Sequence, residues 1–218
     1  MISIIEQRNL LIEIGNKLSK EMSVYAIGGT AMMFLGFKEA TVDIDVVFNT
    51  EQERKLFKEV AKSLGYTEMD AIIVYGVKNN KPEMINLGTS RLDLFVSDVI
   101  DFTFSEKMKE RATAIHQFGK NLILKIADKH DIILMKCATR RAKDEDDIVN
   151  IVKVSEIDWN LITEETKLQV KHGRELAFVE LGFLVEKLMT KHKIVIPKEI
   201  HKTLLTLLTE QMKLKSEK

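Results

Sequence analysis

At 218 residues with 45% apolar content, the chain has room for one substantial domain, alone or with a helical appendage, and enough apolar surface for a buried core. Lysine plus arginine equals aspartate plus glutamate at 33 each, which excludes the global basic field of a non-specific nucleic-acid binder but not a local basic patch. The lone Cys137 excludes an internal disulfide, and with no apolar N-terminal export signal and no run near ~20 apolar residues the expectation is a cytoplasmic chain without a membrane span.

In chain order, apolar residues at Ile4, Ile5, Leu10, Leu11, Ile14 and Leu18 predict an amphipathic helix over 4–21 that covers one face of a sheet. A short strand, Val24 to Ile27, follows, then the pair Gly28-Gly29 and a helical run from Thr30 to Leu35 that stops near Gly36. Val42 to Phe48 reads as a strand containing Asp43 and Asp45. Thr50 with acids behind it caps a helix that runs to Gly65. The apolar run Ala71 to Tyr75 predicts a further strand, Asn79 to Pro82 a turn, and Arg91 to Val96 an alternating strand carrying Asp93. A short helix over 106–112 and a hairpin around Gly119-Lys120 come next. From Asp128 the pattern is helical throughout: one helix carrying Lys136, a second from Asp144, then helices over 158–190 and 197–214. The fold class expected is α/β (α+β), a mixed sheet flanked by helices over 1–126, with an all-helical part over 127–218. The five histidines are scattered without metal-ligand spacing and read as surface residues. Met22, Met32, Met33 and Met135 read as fillers of core gaps, and Trp159 as a packing residue at a helix start.

The chemistry concentrates in Gly28, Gly29 and Thr30 and, fourteen residues after Gly29, in Asp43-Ile44-Asp45. Along a strand Asp43 and Asp45 point to one side and Val42, Ile44 and Val46 to the other, with the two aspartate Cα atoms about 6–7 Å apart. Both carboxylates can then lean onto one or two hard cations, and magnesium suits them because it takes one or two carboxylates together with phosphates and waters. Asp93 supplies a third carboxylate. The glycines, lacking Cβ atoms, let backbone N–H groups approach a triphosphate ahead of a helix start, and the Thr30 hydroxyl can join them. Alone, a Gly-Gly pair fits any turn and Asp-x-Asp fits a solvated strand face. The combination points to phosphate and metal. Lys38 reads equally as a phosphate contact or as a partner of Glu39.

Gly28-Gly29-Thr30, the stretch Gly36 to Asp45 and Asp93 resemble the core of the nucleotidyltransferase superfamily related to DNA polymerase β. The spacing is most similar to the minimal nucleotidyltransferases of prokaryotes, including the type known from abortive-infection and toxin-antitoxin modules. Thr30 stands where much of the superfamily has serine. The resemblance is strong over about 22–97 and loose beyond. It implies the nucleotidyltransferase fold for the N-terminal part, with Asp43, Asp45 and Asp93 as catalytic ligands of Mg2+ (or Mn2+). Asp93 would also help activate the incoming hydroxyl, and Gly28, Gly29 and Thr30 would hold the β- and γ-phosphates of a nucleoside triphosphate. The segment from Asp131 to Asp147 looks like the one that follows the core in abortive-infection relatives, where a lysine lies near the nucleotide. By that resemblance Lys136 and Arg140 join Lys38 as nucleotide-binding candidates; on its own chemistry Lys136 also reads as a snorkelling surface lysine in a run of paired charge.

The leading expectation is therefore transfer of a nucleoside monophosphate from an NTP to a hydroxyl of RNA, protein or a small molecule, with release of pyrophosphate. The alternatives are a non-catalytic nucleotide- or partner-binding module of the same fold, such as a toxin-antitoxin component, and an interaction protein that forms homo-oligomers through its C-terminal helices.

Overall fold

The computed structural model describes residues 1–137, 139 and 141–216, with 208 and 210–216 as backbone alone. The chain divides into two compact units, Met1–Asp128 and the chain from Lys129 onward. The first contains β1 (Ile2–Ser3), α1 (Ile4–Lys17), β2 (Met22–Ala26), α2 (Gly28–Phe34), β3 (Ala40–Thr41), β4 (Asp43–Phe48), α3 (Glu51–Ser63), β5 (Thr67–Met69) and α4 (Ile72–Tyr75). It continues with β6 (Glu83–Leu87), β7 (Ser90–Val96), β8 (Asp98–Val99), β9 (Phe102–Thr103), α5 (Glu106–Arg111), β10 (Ala114–Phe118) and β11 (Leu122–Ile126).

Among the described residues the main sheet runs β10-β11-β2-β4-β7-β6-β5, with β8 and β9 extending from β7 and a separate β1–β3 pair. It is mixed: β11 with β2 and β4 with β7 are parallel, and the remaining pairs are antiparallel. The mixed α/β class is the one expected. Strands β4 and β7 lie at the centre because their apolar residues can be covered: Ile44, Val46, Val47, Phe48, Leu92 and Leu94 are fully buried. The flanking helices start where capping chemistry allows. Ser3 with Glu6 and Thr50 with Glu53 each form a capping box at the starts of α1 and α3.

The second unit is all helical, with α6 (Lys129–Cys137), α7 (Ala142–Val154), α8 (Trp159–Lys171), α9 (Ala177–Thr190) and α10 (Lys198–Ser216). Its core holds Ile132, Ile133, Leu134, Ile148, Ile151, Ile162, Leu181, Val185 and Leu188. None of the described helices is long and apolar enough to cross a membrane.

Three expectations are corrected. The strand expected at Ala71 to Tyr75 is the short helix α4, with Ile72 and Ile73 exposed. A five-residue apolar run has no period long enough to separate strand from helix, and here the Asp70 carboxylate accepts the Ile72 N–H and starts a helical turn. The single helix expected over 158–190 is two. Gly173, at φ +79, ends α8 in a Schellman motif, its N–H donating to Val170 and that of Arg174 to Gln169. His130 is buried rather than superficial, because its Nε2 accepts the Asp158 N–H at 2.9 Å and caps the approach to α8. Met22, Met32 and Met33 do fill the core, and Trp159 is buried as the first residue of α8.

Candidate active site

Parallel pairing of β4 with β7 sets the geometry. The register places Asp45 opposite Asp93 and Asp43 opposite Arg91. Asp43, two residues from Asp45, shares its face, so oxygens of all three carboxylates come within 4.8 Å of one another. Asp43 and Asp45 are half-buried, whereas Asp93 is fully buried.

Burial pushes the Asp93 carboxyl above the usual carboxylate range, against the opposing pull of the Tyr75 hydroxyl and Arg91. Tyr75, the last residue of α4, donates its hydroxyl to Asp93 Oδ2 at 2.6 Å. Arg91 Nε donates to Asp93 Oδ1 at 2.8 Å, and its Nη2 reaches both Asp93 Oδ2, at 3.1 Å, and Asp43 Oδ2. Thr41 Oγ1 donates to Asp43 Oδ1 at 3.4 Å. One guanidinium among three carboxylates leaves an excess of negative charge. A set of converging carboxylate oxygens with that excess fits a hard divalent cation.

Gly28, Gly29 and Thr30 form the first turn of α2, two residues earlier than the helix start expected at Thr30. The turn is moulded onto the carboxylate strand. Gly28 has φ +54, and a Cβ on it would stand 2.6 Å from Asp45 Oδ2. A Cβ on Gly29 would collide with Thr41 Oγ1. The Ile27 N–H donates to the Asp45 carbonyl at 3.2 Å, and the Asp45 N–H donates to Thr30 Oγ1 at 2.9 Å. Thr30 is completely buried, with its hydroxyl oxygen engaged by the β4 backbone.

The remaining candidates stand elsewhere in the chain. Lys38 is half-buried in the link between α2 and β3. Lys136, in α6 of the helical unit, is buried and donates to Asp144 Oδ1 at 2.6 Å and Asp147 Oδ2 at 2.8 Å. Burial alone would raise the Asp144 carboxyl, but Lys136, together with Thr139 and Arg141, outweighs it and brings it down to about 2. Lys136 is thus an internal ion-pair partner rather than a snorkelling surface residue. Arg140 lies outside the described residues.

Sequence reasoning missed Arg91 and Tyr75. Arg91 was readable: it lies two residues before Asp93 in the same alternating strand, hence on the same face. Tyr75 carried no such signal, since only the tertiary position of α4 brings it to β7.

A family model described as "Nucleotidyltransferase of unknown function (DUF6036)" matches residues 1–181. The chain belongs to this nucleotidyltransferase family. The match takes in the whole sheet-bearing unit and continues into the helical one. No curated protein matches the chain. Among solved structures, a crystal structure of ANT(2'')-Ia in complex with adenylyl-2''-tobramycin is similar at 17% identity and a TM-score of 0.44, covering 66% of this chain and 86% of that one. A solution structure of the antibiotic-resistance factor ANT(2'')-Ia is similar at 13% identity and a TM-score of 0.44, covering 98% of this chain and 96% of that one.

Proposed function

We propose that this chain transfers a nucleoside monophosphate from a nucleoside triphosphate to a hydroxyl acceptor in the cytoplasm, releasing pyrophosphate. The observation that carries the reading is the three-carboxylate cluster on β4 and β7 with the Gly28 backbone pressed against Asp45. Gly28 and Gly29 hold the β- and γ-phosphates, the buried Thr30 hydroxyl fixes their turn to β4, and Lys38 adds positive charge. Asp43, Asp45 and Asp93 would hold magnesium or manganese, which when bound would neutralise the triphosphate and stabilise the attacking and leaving oxygens. Asp93 receives the hydrogen bond of the incoming hydroxyl, and its burial suits it to take the proton. Arg91 aligns Asp43 and Asp93. Phosphoryl chemistry of this kind needs no side-chain nucleophile, so the chain's contribution is positioning and charge.

The acceptor is RNA, a protein or a small molecule. Incubating the protein with each NTP labelled at the α-phosphate, magnesium and a cell extract identifies it. The expected result is label in one class of product, lost in Asp45→Ala. Nucleotide binding with no labelled product would instead favour a non-catalytic module, such as a component of a toxin-antitoxin pair.

A further inference from the structure

The hydroxyl of Tyr75 donates to Asp93, the acid that the proposed reaction gives the proton of the incoming hydroxyl. At 2.6 Å from Asp93 Oδ2 it lies within the reach expected between a general base and the proton it takes. Its ring meets Phe95 edge-on, centroids 6.3 Å apart and planes at 84°, and Phe95 is two residues along β7 from Asp93. The phenol is therefore held against the strand that carries the acid.

The sheet order sets the turn and the phenol on opposite flanks of the carboxylates. Displacement at phosphorus runs in line, with attacking and leaving oxygens on opposite sides of the transferred group. In the order β2-β4-β7-β6, Gly28 follows the end of β2 on one flank of the carboxylates, and α4 lies in the connection leading into β6 on the other. Gly28 abuts Asp45, Asp45 pairs with Asp93, and Asp93 accepts from Tyr75. The sequence of groups is phosphate turn, carboxylates, hydroxyl.

We propose that Tyr75 is a self-acceptor: the chain transfers a nucleoside monophosphate onto its own Tyr75 hydroxyl. This rests on the nucleotidyltransferase reading of the same carboxylates. In the step, a bond forms between Tyr75 Oη and the α-phosphorus while the bond from that phosphorus to the bridging oxygen breaks. Pyrophosphate leaves with the electron pair, the phenolic proton passes to Asp93, and the product is a tyrosyl phosphodiester. The setting of Tyr75 suits a modified side chain. Helix α4 has only four residues, and Ile72, Ile73 and Val74 ahead of Tyr75 are exposed.

The test is to incubate the full chain alone with magnesium and each of ATP, GTP, CTP and UTP, then to read intact mass and the modified peptide. Binding of the magnesium nucleotide is measured in parallel by calorimetry. Tyr75→Phe keeps the ring on Phe95, and a thermal melt checks that it folds. The expected result is one nucleoside monophosphate on the Tyr75 peptide of the wild type. Tyr75→Phe is expected to stay unlabelled while still binding the magnesium nucleotide. Nucleotide binding without any label on the wild type, or label that persists in Tyr75→Phe, would overturn the self-acceptor and leave the nucleotidyltransferase reading standing. Failure of the wild type to bind any magnesium nucleotide would overturn that reading and this proposal with it.

Discussion

Gly28 shows how closely the turn and the acids constrain one another. Its backbone is left-handed, and its missing Cβ leaves the space that Asp45 Oδ2 occupies. Gly28→Ala meets both obstacles, so stability is expected to fall by about 1–3 kcal/mol. Magnesium-dependent nucleotide affinity should fall at least about tenfold because Asp45 must move, a change of about 1.4 kcal/mol. A urea titration and a nucleotide titration on the variant check the two effects separately; unchanged affinity would detach the turn from the site. At this scale much was legible. Strand alternation alone put Asp43, Asp45 and Asp93 on usable faces, and the same alternation would have placed Arg91 with them had it been applied. Thr30 was legible only in part: its position at the turn could be read, but the burial of its hydroxyl depends on β4, which lies next to it only after folding.

Helix boundaries followed capping chemistry where the cap is local, as at Ser3 and Thr50, and failed where a tertiary partner or a backbone conformation decides. Ala71 to Tyr75 has the composition of a strand and the structure of a helical turn, because β5 and β6 pair with each other and leave that run outside the ladder. Gly173 ends α8 by conformation alone, since a Cβ there would meet no neighbour. Gly173→Ala should therefore cost only the left-handed backbone penalty, about 1 kcal/mol, and leave nucleotide binding unchanged, as paired melting and binding measurements would show.

The α6–α7 charge cluster makes a different prediction. Asp144 is held near 2, below the unfolded carboxylate value of about 3.9, so its stabilisation is present above about 4 and is lost as pH falls toward about 2. Asp144→Asn should flatten that acid limb of the stability profile. At neutral pH it should cost about 3 kcal/mol, because Lys136 loses a buried partner. Urea midpoints measured across the acid range, wild type against variant, check both.

Over the whole molecule, the change in hydrophobic period from alternating strands to helices is the signal behind the expected division at 126/127. Long-range pairings such as β11 with β2 had no local signal, because parallel neighbours are joined by distant chain. The equal numbers of acidic and basic residues give no overall field, so the charge at the candidate site is local, three acids and one guanidinium at the junction of β4 and β7. Family membership over residues 1–181 agrees in chemistry with that cluster, and the acceptor is the part that neither composition nor fold specifies. The central claim is that the cluster binds a magnesium nucleotide. Calorimetric titration of NTPs into the wild type, Asp43→Ala and Asp45→Ala, with and without magnesium, tests it most directly. The account predicts magnesium-dependent binding in the wild type that both substitutions abolish; unchanged affinity in both variants would contradict it.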